Sequence, residues 1–337
     1  MRTRRHAAIV GGLVVAGLLA TGAPAQAVST PFAYTGIVRA AGADRYETAA
    51  VVSHGSFAPS PGSALFLASG ESFADALADG PAAAGLDGPL LLTAARGLPR
   101  PTIDVLKRLA PAFVHVVGGP DRVPDAVLSA VRALLPTATV DRTAGADRYA
   151  TATAIATRFF PANQTSFVLA RGDAFPDAVS GAALAGGRGE PLLLTAPKAL
   201  PSTVTAWLNA SDRARATVIG GVDSVSDPVA DQVALFLTDA DPVARLSGAD
   251  RYDTAAVVAR TTFPDAEVAV LATGRNFPDA LAAVPAAAVN GAPLLLVPGD
   301  CTPAATDDYL SGATSLGATI VVGDESAISE ESFAGTC

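Results

Sequence analysis

Gly42-Ala43-Asp44-Arg45-Tyr46 returns unchanged as Gly145-Ala146-Asp147-Arg148-Tyr149 and again as Gly248-Ala249-Asp250-Arg251-Tyr252, a period of 103 residues. Three further motifs keep step with it. Phe73-Ala74-Asp75-Ala76 is answered by Phe175-Pro176-Asp177-Ala178 and Phe277-Pro278-Asp279-Ala280, and Pro89-Leu90-Leu91-Leu92 by Pro191-Leu192-Leu193-Leu194 and Pro293-Leu294-Leu295-Leu296, both at 102. Val117-Gly118-Gly119 is matched by Ile219-Gly220-Gly221 and more loosely by Val322-Gly323-Asp324. Four motifs in one register make the chain three copies of one unit, each large enough to enclose a core of its own.

Within the first unit helical and apolar segments alternate. The pattern predicts helices over residues 45–57, 73–84, 100–109 and 124–135, and strands over 64–68, 89–93 and 113–117. The strands are apolar throughout, as strands buried on both faces are, so the fold class is α/β with mostly parallel sheets. Gly118-Gly119 reads as a tight turn from strand to helix; the fuller GxGxxG of a dinucleotide site is missing. The expected boundaries are 1–27 for a leader, 28–36 for a short linker, and 37–138, 139–241 and 242–337 for the three units.

Arg2, Arg4 and Arg5, the apolar run from Ala7 to Ala20 and the triplet Ala25-Gln26-Ala27 have the form of a secretory signal peptide. Its removal takes three positive charges, moving the net charge from −9 to −12. The expected product is exported and wall-associated, without a membrane span after cleavage and without an LPxTG sorting signal. In an oxidising compartment Cys301 and Cys337 are expected to pair and to fasten the C-terminus.

The composition excludes several functions. An acidic chain lacks the basic face on which nucleic-acid affinity depends. With 2 cysteines and 3 histidines in 337 residues, no zinc site is expected, and no cofactor is called for. His54 and His115 are not repeated and neither GxSxG nor HExxH occurs, so a serine triad or metalloprotease has no support.

The repeated polar residues carry what remains. Asp44, Asp147 and Asp250 stand where helix N-caps belong, and Glu47 gives the first the form of a capping box. Arg45, Arg148 and Arg251 each place a cation in the first helical turn, facing the positive end of the macrodipole, which costs a few tenths of a kcal/mol. Such a residue calls for a partner. Either Asp75, Asp177 and Asp279 accept it as a bidentate pair, or an external anion does. Tyr46, Tyr149 and Tyr252 read as amphipathic core residues or as rings on which a sugar stacks, and Phe73, Phe175 and Phe277 as core. Thr93, Thr195 and Val297 fall at the carboxyl ends of parallel strands, where α/β sheets place ligands.

At these residues the sequence resembles the cell wall-binding repeat 2 family, with its R-x-x-G-x-x-R-Y-x-T-A opening, F-x-D-A-L helix, P-x-L-L-T strand and V-x-x-G-G turn. Arg39, Gly42, Arg45, Tyr46, Thr48 and Ala49 fit the opening, as do Arg142, Gly145, Arg148, Tyr149, Thr151 and Ala152, and Arg245, Gly248, Arg251, Tyr252, Thr254 and Ala255. The resemblance implies a compact triangle of three Toprim-like α/β units in a pseudo-threefold arrangement. It further implies a non-covalent anchor that binds an anionic secondary polymer or glycan of a Gram-positive wall. The leucine-rich strand is implicated in that binding, which carries over to Leu90, Leu91, Leu92 and Thr93, to Leu192, Leu193, Leu194 and Thr195, and to Leu294, Leu295 and Leu296. Departures are Val297 for Thr, Val179 for Leu, and Gly323-Asp324 for Gly-Gly. The competing expectation is a secreted hydrolase acting through the repeated Asp residues.

Overall fold

The computed structural model describes residues 36–210, 212–333, 336 and 337; the signal-peptide reading lies outside them. The first 102-residue period contributes β1 (Gly36–Ala40), α1 (Arg45–Ser56), β2 (Ala64–Ser69), α2 (Asp79–Gly85), β3 (Leu90–Thr93), α3 (Arg100–Leu109), β4 (Phe113–Val117) and α4 (Asp125–Leu134). The second contributes β5 (Thr139–Thr143), α5 (Arg148–Phe159), β6 (Ser166–Arg171), α6 (Pro176–Arg188), β7 (Leu192–Thr195), α7 (Ser202–Asn209), β8 (Arg215–Ile219) and α8 (Asp227–Ala234). The third contributes β9 (Val243–Leu246), α9 (Arg251–Thr262), β10 (Val268–Thr273), α10 (Pro278–Val289), β11 (Leu294–Val297), α11 (Ala304–Gly312) and β12 (Ala318–Val322). Every ladder between these strands is parallel, so the fold is α/β in three repeats, as the pattern predicts.

The sheets are out of phase with the sequence period by one strand. Their orders are β3-β2-β4-β5, β7-β6-β8-β9 and β11-β10-β12-β1. β5 and β9, which open the second and third repeats, therefore complete the sheets of the repeats before them. β1 completes the sheet of the last repeat, with Gly36 opposite Ala318 and Ala40 opposite Val322. The three repeats thus close into a ring. None of these opening strands was legible as a strand, because each is an edge strand of mixed polarity such as Thr-Val-Asp-Arg-Thr, half-exposed instead of continuously apolar.

The ring is filled from the centre. α2, α6 and α10 pack on one another, and their alanines share one apolar cluster with strand residues of all three sheets. A smaller cluster lies on the outer side of each sheet. Phe73, Phe175 and Phe277 meet where these three central helices begin, with ring centroids 5.5 to 6.5 Å apart. They are half-buried, so they crown the pseudo-threefold axis and do not lie in its core.

The helix expected over 73–84 is divided, a 3₁₀ turn at Ala76–Ala78 preceding α2. Pro81 is not the cause, since Pro285 sits at the same place inside the continuous α10. Asp79-Gly80 replaces Gly181-Ala182 and Ala283-Val284 there. The fully buried Asp79 side chain is the feature at this place that the other two repeats lack.

At the other end of the chain the Cα atoms of Cys301 and Cys337 are 5.3 Å apart with their sulfurs at bonding distance. The Cys337 amide donates to the Thr302 carbonyl at 2.9 Å.

Candidate functional site at the repeat junctions

Asp44, Asp147 and Asp250 are the N-caps the sequence predicts. Asp44 accepts from the amides of Tyr46 and Glu47, Asp147 from that of Ala150, and Asp250 from those of Tyr252 and Asp253. Glu47 reaches back to the amide of Ala43, one residue before the cap, at 2.7 Å, and Asp253 does the same to Ala249 at 2.8 Å.

The arginines behind the caps do not pair with the aspartates of their own repeats, which corrects one of the two expected partners. Arg45, Arg148 and Arg251 donate to the carbonyls of Gly70, Gly172 and Gly274, just past β2, β6 and β10. A carbonyl at the end of a strand accepts the cation without any carboxylate. Those glycines are also what the tyrosines need: a Cβ at Gly70 would stand 2.6 Å from Cε1 of Tyr46, and at Gly172 and Gly274 it would stand 2.9 and 2.6 Å from the corresponding ring atoms of Tyr149 and Tyr252. The tyrosines are half-buried, and burial raises the Tyr46 and Tyr149 hydroxyls above their usual range. Gly70, Gly172 and Gly274 lie 102 residues apart; that spacing was the available signal, hidden because a lone glycine carries no motif.

The aspartates face the next repeat instead. Asp75 accepts from Thr151 Oγ1 of the second repeat at 2.9 Å, Asp177 lies in the field of Arg251, and Asp279 in that of Arg45. Each also rests against the turn that ends its own sheet. The left-handed Gly118, Gly220 and Gly323 leave no room for a Cβ, which would stand 3.1, 2.4 and 2.8 Å from the Oδ2 atoms of Asp75, Asp177 and Asp279. The same turns are gripped by the opening arginines, Arg142 donating to Gly118, Arg245 to Gly220 and Arg39 to Gly323. The repeated polar residues therefore meet at three junctions between consecutive repeats, at the carboxyl ends of the strands.

The leucines are not part of this surface. Leu90, Leu91, Leu92, Leu192, Leu193, Leu194, Leu294, Leu295 and Leu296 are at most 2% exposed and pack the sheets. Thr93 and Thr195 are buried too, their hydroxyls donating to the carbonyls of Gly97 and Ala199 in the following turns at 3.3 and 3.2 Å. The leucine-rich strand shapes the site from beneath, by fixing where its turns emerge.

The junctions differ in how their aspartates are held. Thr151 occupies Asp75, and Ser224 donates to Asp177 at 2.6 Å. Ala327 stands where Ser224 does in the second repeat, and among the described residues no hydrogen-bond donor reaches Asp279. A cleft of about 140 Å³ opens there, lined by Asp44, Arg45, Thr48, Asn276, Asp279, Asp324 and Ser326 among others. Burial, reinforced by Asp324, pushes the Asp279 carboxyl up to about 6. Asp324 moves the other way, lowered by hydrogen bonds from Ser326 and from the amide of Ala327. Among the described residues no group of side chains is arranged to hold a metal ion, and no helix is long and apolar enough to cross a membrane.

The family model for cell wall binding domain 2 (CWB2) matches residues 39–128, 142–230 and 245–333. Over 302 residues the chain is 26% identical to the N-acetylmuramoyl-L-alanine amidase LytC of Bacillus subtilis (strain 168), which covers 90% of this chain and 58% of that protein. It is 28% identical over 293 residues to the amidase enhancer of the same organism, covering 87% of this chain and 39% of that one. Among solved structures it is similar to Cwp6 from Clostridium difficile, with a TM-score of 0.80, 27% identity and coverage of 93% of this chain and 51% of the other. Cwp8 from Clostridium difficile superposes with a TM-score of 0.79 at 25% identity, covering 88% and 50%. The chain thus spans between two fifths and three fifths of the length of the curated relatives it matches.

Proposed function

The chain belongs to the cell wall binding domain 2 family, and from that premise we propose that it is a secreted, non-catalytic protein held on a Gram-positive wall by an anionic secondary polymer or a peptidoglycan-associated glycan. The observation that carries the proposal is the convergence of the repeated Arg, Tyr, Asp and Gly residues at three inter-repeat junctions on one end of the sheets. Three related sites on one closed ring suit a repeating polymer, where weak contacts multiply into useful avidity. Arg45, Arg148, Arg251, Tyr46, Tyr149, Tyr252, Asp75, Asp177 and Asp279 are the residues assigned to the ligand. The leucines support them from the core.

The purified protein is expected to sediment with isolated cell walls and to remain in solution once acid extraction has stripped the secondary polymers. Equal sedimentation before and after extraction removes the polymer from the proposal. No wall binding in either case removes the proposal itself.

The second reading, a hydrolase, is favoured by one feature. Asp279 is raised and Asp324 lowered within one cleft, which is how environments separate an acid from a base. The three repeats occupy residues 39–333, so the alignment with the amidase runs over repeat sequence. Release of reducing ends or amino groups from purified walls, lost in Asp279→Asn, supports hydrolysis; walls left intact by the native protein exclude it.

A further inference from the structure

Resting on the wall-binding reading, we infer that the junction between the third and first repeats is the one that recognises the ligand's sugar, and that it takes an uncharged, hydroxyl-rich ring. Three observations lead there. The aspartates at the first two junctions already accept hydrogen bonds, from Thr151 and Ser224, whereas among the described residues no donor reaches Asp279. A carboxylate so placed offers lone pairs to incoming hydroxyls. The cleft beside it has the room for a single ring.

The lining sets the chemistry. Asp279 supplies the open acceptor and Asp44 and Asp324 their second carboxylate oxygens, Arg45 and Asn276 supply donors, and the hydroxyls of Thr48 and Ser326 are already engaged with the Gly42 amide and with Asp324. Arg39 faces Asp324 from β1. Three carboxylates against two guanidiniums leave no positive excess, so a phosphate or carboxylate on the ligand gains nothing by entering. Adjacent hydroxyls of a sugar satisfy Asp279 and the neighbouring donors together.

This placement also answers the charge of the chain. The third repeat, residues 242–337, holds four basic and twelve acidic side chains, a poor field for an anionic polymer. If neutral sugar units enter here, the polymer's charged groups stay in solvent or near the arginines of the other junctions. The site depends on ring closure, because its two walls come from opposite ends of the repeat array and β1 joins them.

The test is saturation-transfer NMR on the full chain with the methyl glycosides of glucose, galactose and N-acetylglucosamine, set beside galacturonic acid and glycerol 3-phosphate. At least one neutral glycoside is expected to bind, and Asp279→Asn to weaken it by about tenfold or more, since the lost hydrogen bonds are to a charged acceptor. Asn276→Ala, at the exposed rim, is expected to weaken it in the same direction and guards against a folding defect in the first variant. Asp87→Asn, remote from the cleft, leaves it unchanged. Tighter binding of either acid probe overturns the inference, as does unaltered binding of the neutral glycoside in both variants. Silence from every neutral probe while the protein still sediments with walls overturns it too, and leaves the wall-binding reading standing. Failure to sediment removes that reading instead.

Discussion

Arg39 donates to the carbonyl oxygen of Gly323 at 2.9 Å across 284 residues of chain, joining the first strand to the last turn. Arg142 and Arg245 make the same contact one repeat earlier each, and more besides. Arg142 also reaches the Val123 carbonyl and Asp125, at 2.7 and 2.9 Å, and Arg245 reaches Asp227 at 3.1 Å. A hydrogen bond from a charged group is worth about 1.5–3 kcal/mol. Urea unfolding is therefore expected to rank the alanine variants Arg142, Arg245, Arg39 in falling order of damage, the last losing about 1.5 kcal/mol. Equal losses in all three would mean that the Gly carbonyl alone is what each arginine secures.

The tyrosine rings depend on glycines at β-strand ends. A methyl group at Gly70 meets the Tyr46 ring at 2.6 Å and the Arg45 Cδ at 3.2 Å, so Gly70→Ala is expected to cost about 1–3 kcal/mol through overpacking. The control is the double variant: in a Tyr46→Ala background the same substitution has space and costs much less, the shortfall being the coupling energy. Additive losses would show that strain lies in the Gly70 backbone, not against the ring.

The fold was legible in the sequence because its signals are local and triply repeated. Apolar runs such as Leu90 to Leu92 announce buried parallel strands, and Asp44 announces a cap. The residues alone did not reveal how the ring closes, since the opening strands are short and polar and their partners lie in another repeat; only the family resemblance implied a threefold arrangement. The site was half legible. Every polar residue singled out at a helix start stands at a junction, but a linear reading ranks near neighbours first, and so offers Asp75, Asp177 and Asp279 as partners to the arginines of their own repeats beside an external anion. Asp324 and Ala327 make the third junction unlike the others; Asp324 reads only as a departure from the Gly-Gly turn, and Ala327 belongs to no motif.

The third junction has a pH signature. Asp279 is raised from the ordinary 3.8 to about 6 by burial and by Asp324, with Arg45 opposing and Asp44 on the cleft wall. A raised carboxyl binds its proton more tightly in the folded chain, so its stabilising effect is complete below about pH 4 and is lost as pH rises through about 6. Asp279→Asn is expected to match the native stability near pH 4 and to exceed it above pH 6, by at most about 3 kcal/mol for a two-unit shift. Thermal unfolding at pH 4, 5, 6 and 7 checks this. A constant difference across that range would show that Asp279 titrates normally.

Asp79 poses the same question in the core. It is fully buried, neither carboxyl oxygen has a hydrogen-bond partner, and desolvation holds it well above the usual carboxylate range. Asp75 is the charged group that adds to the shift. The second and third repeats have Gly181 and Ala283 at this place, so the architecture does not require an acid. As a neutral acid Asp79 still leaves polar atoms unpaired, which costs about 1–3 kcal/mol. As an anion it would cost more. Asp79→Ala is therefore expected to unfold at a higher temperature than the native chain near neutral pH, and its advantage to widen as pH rises above the ordinary carboxylate range. The direction follows from linkage, because the native chain loses stability as a raised carboxyl is forced to ionise. Unfolding curves at pH 6, 7.5 and 9 decide it, and an alanine variant less stable than the native chain at pH 9 would mean that the Asp79 side chain supports the start of α2 by its packing.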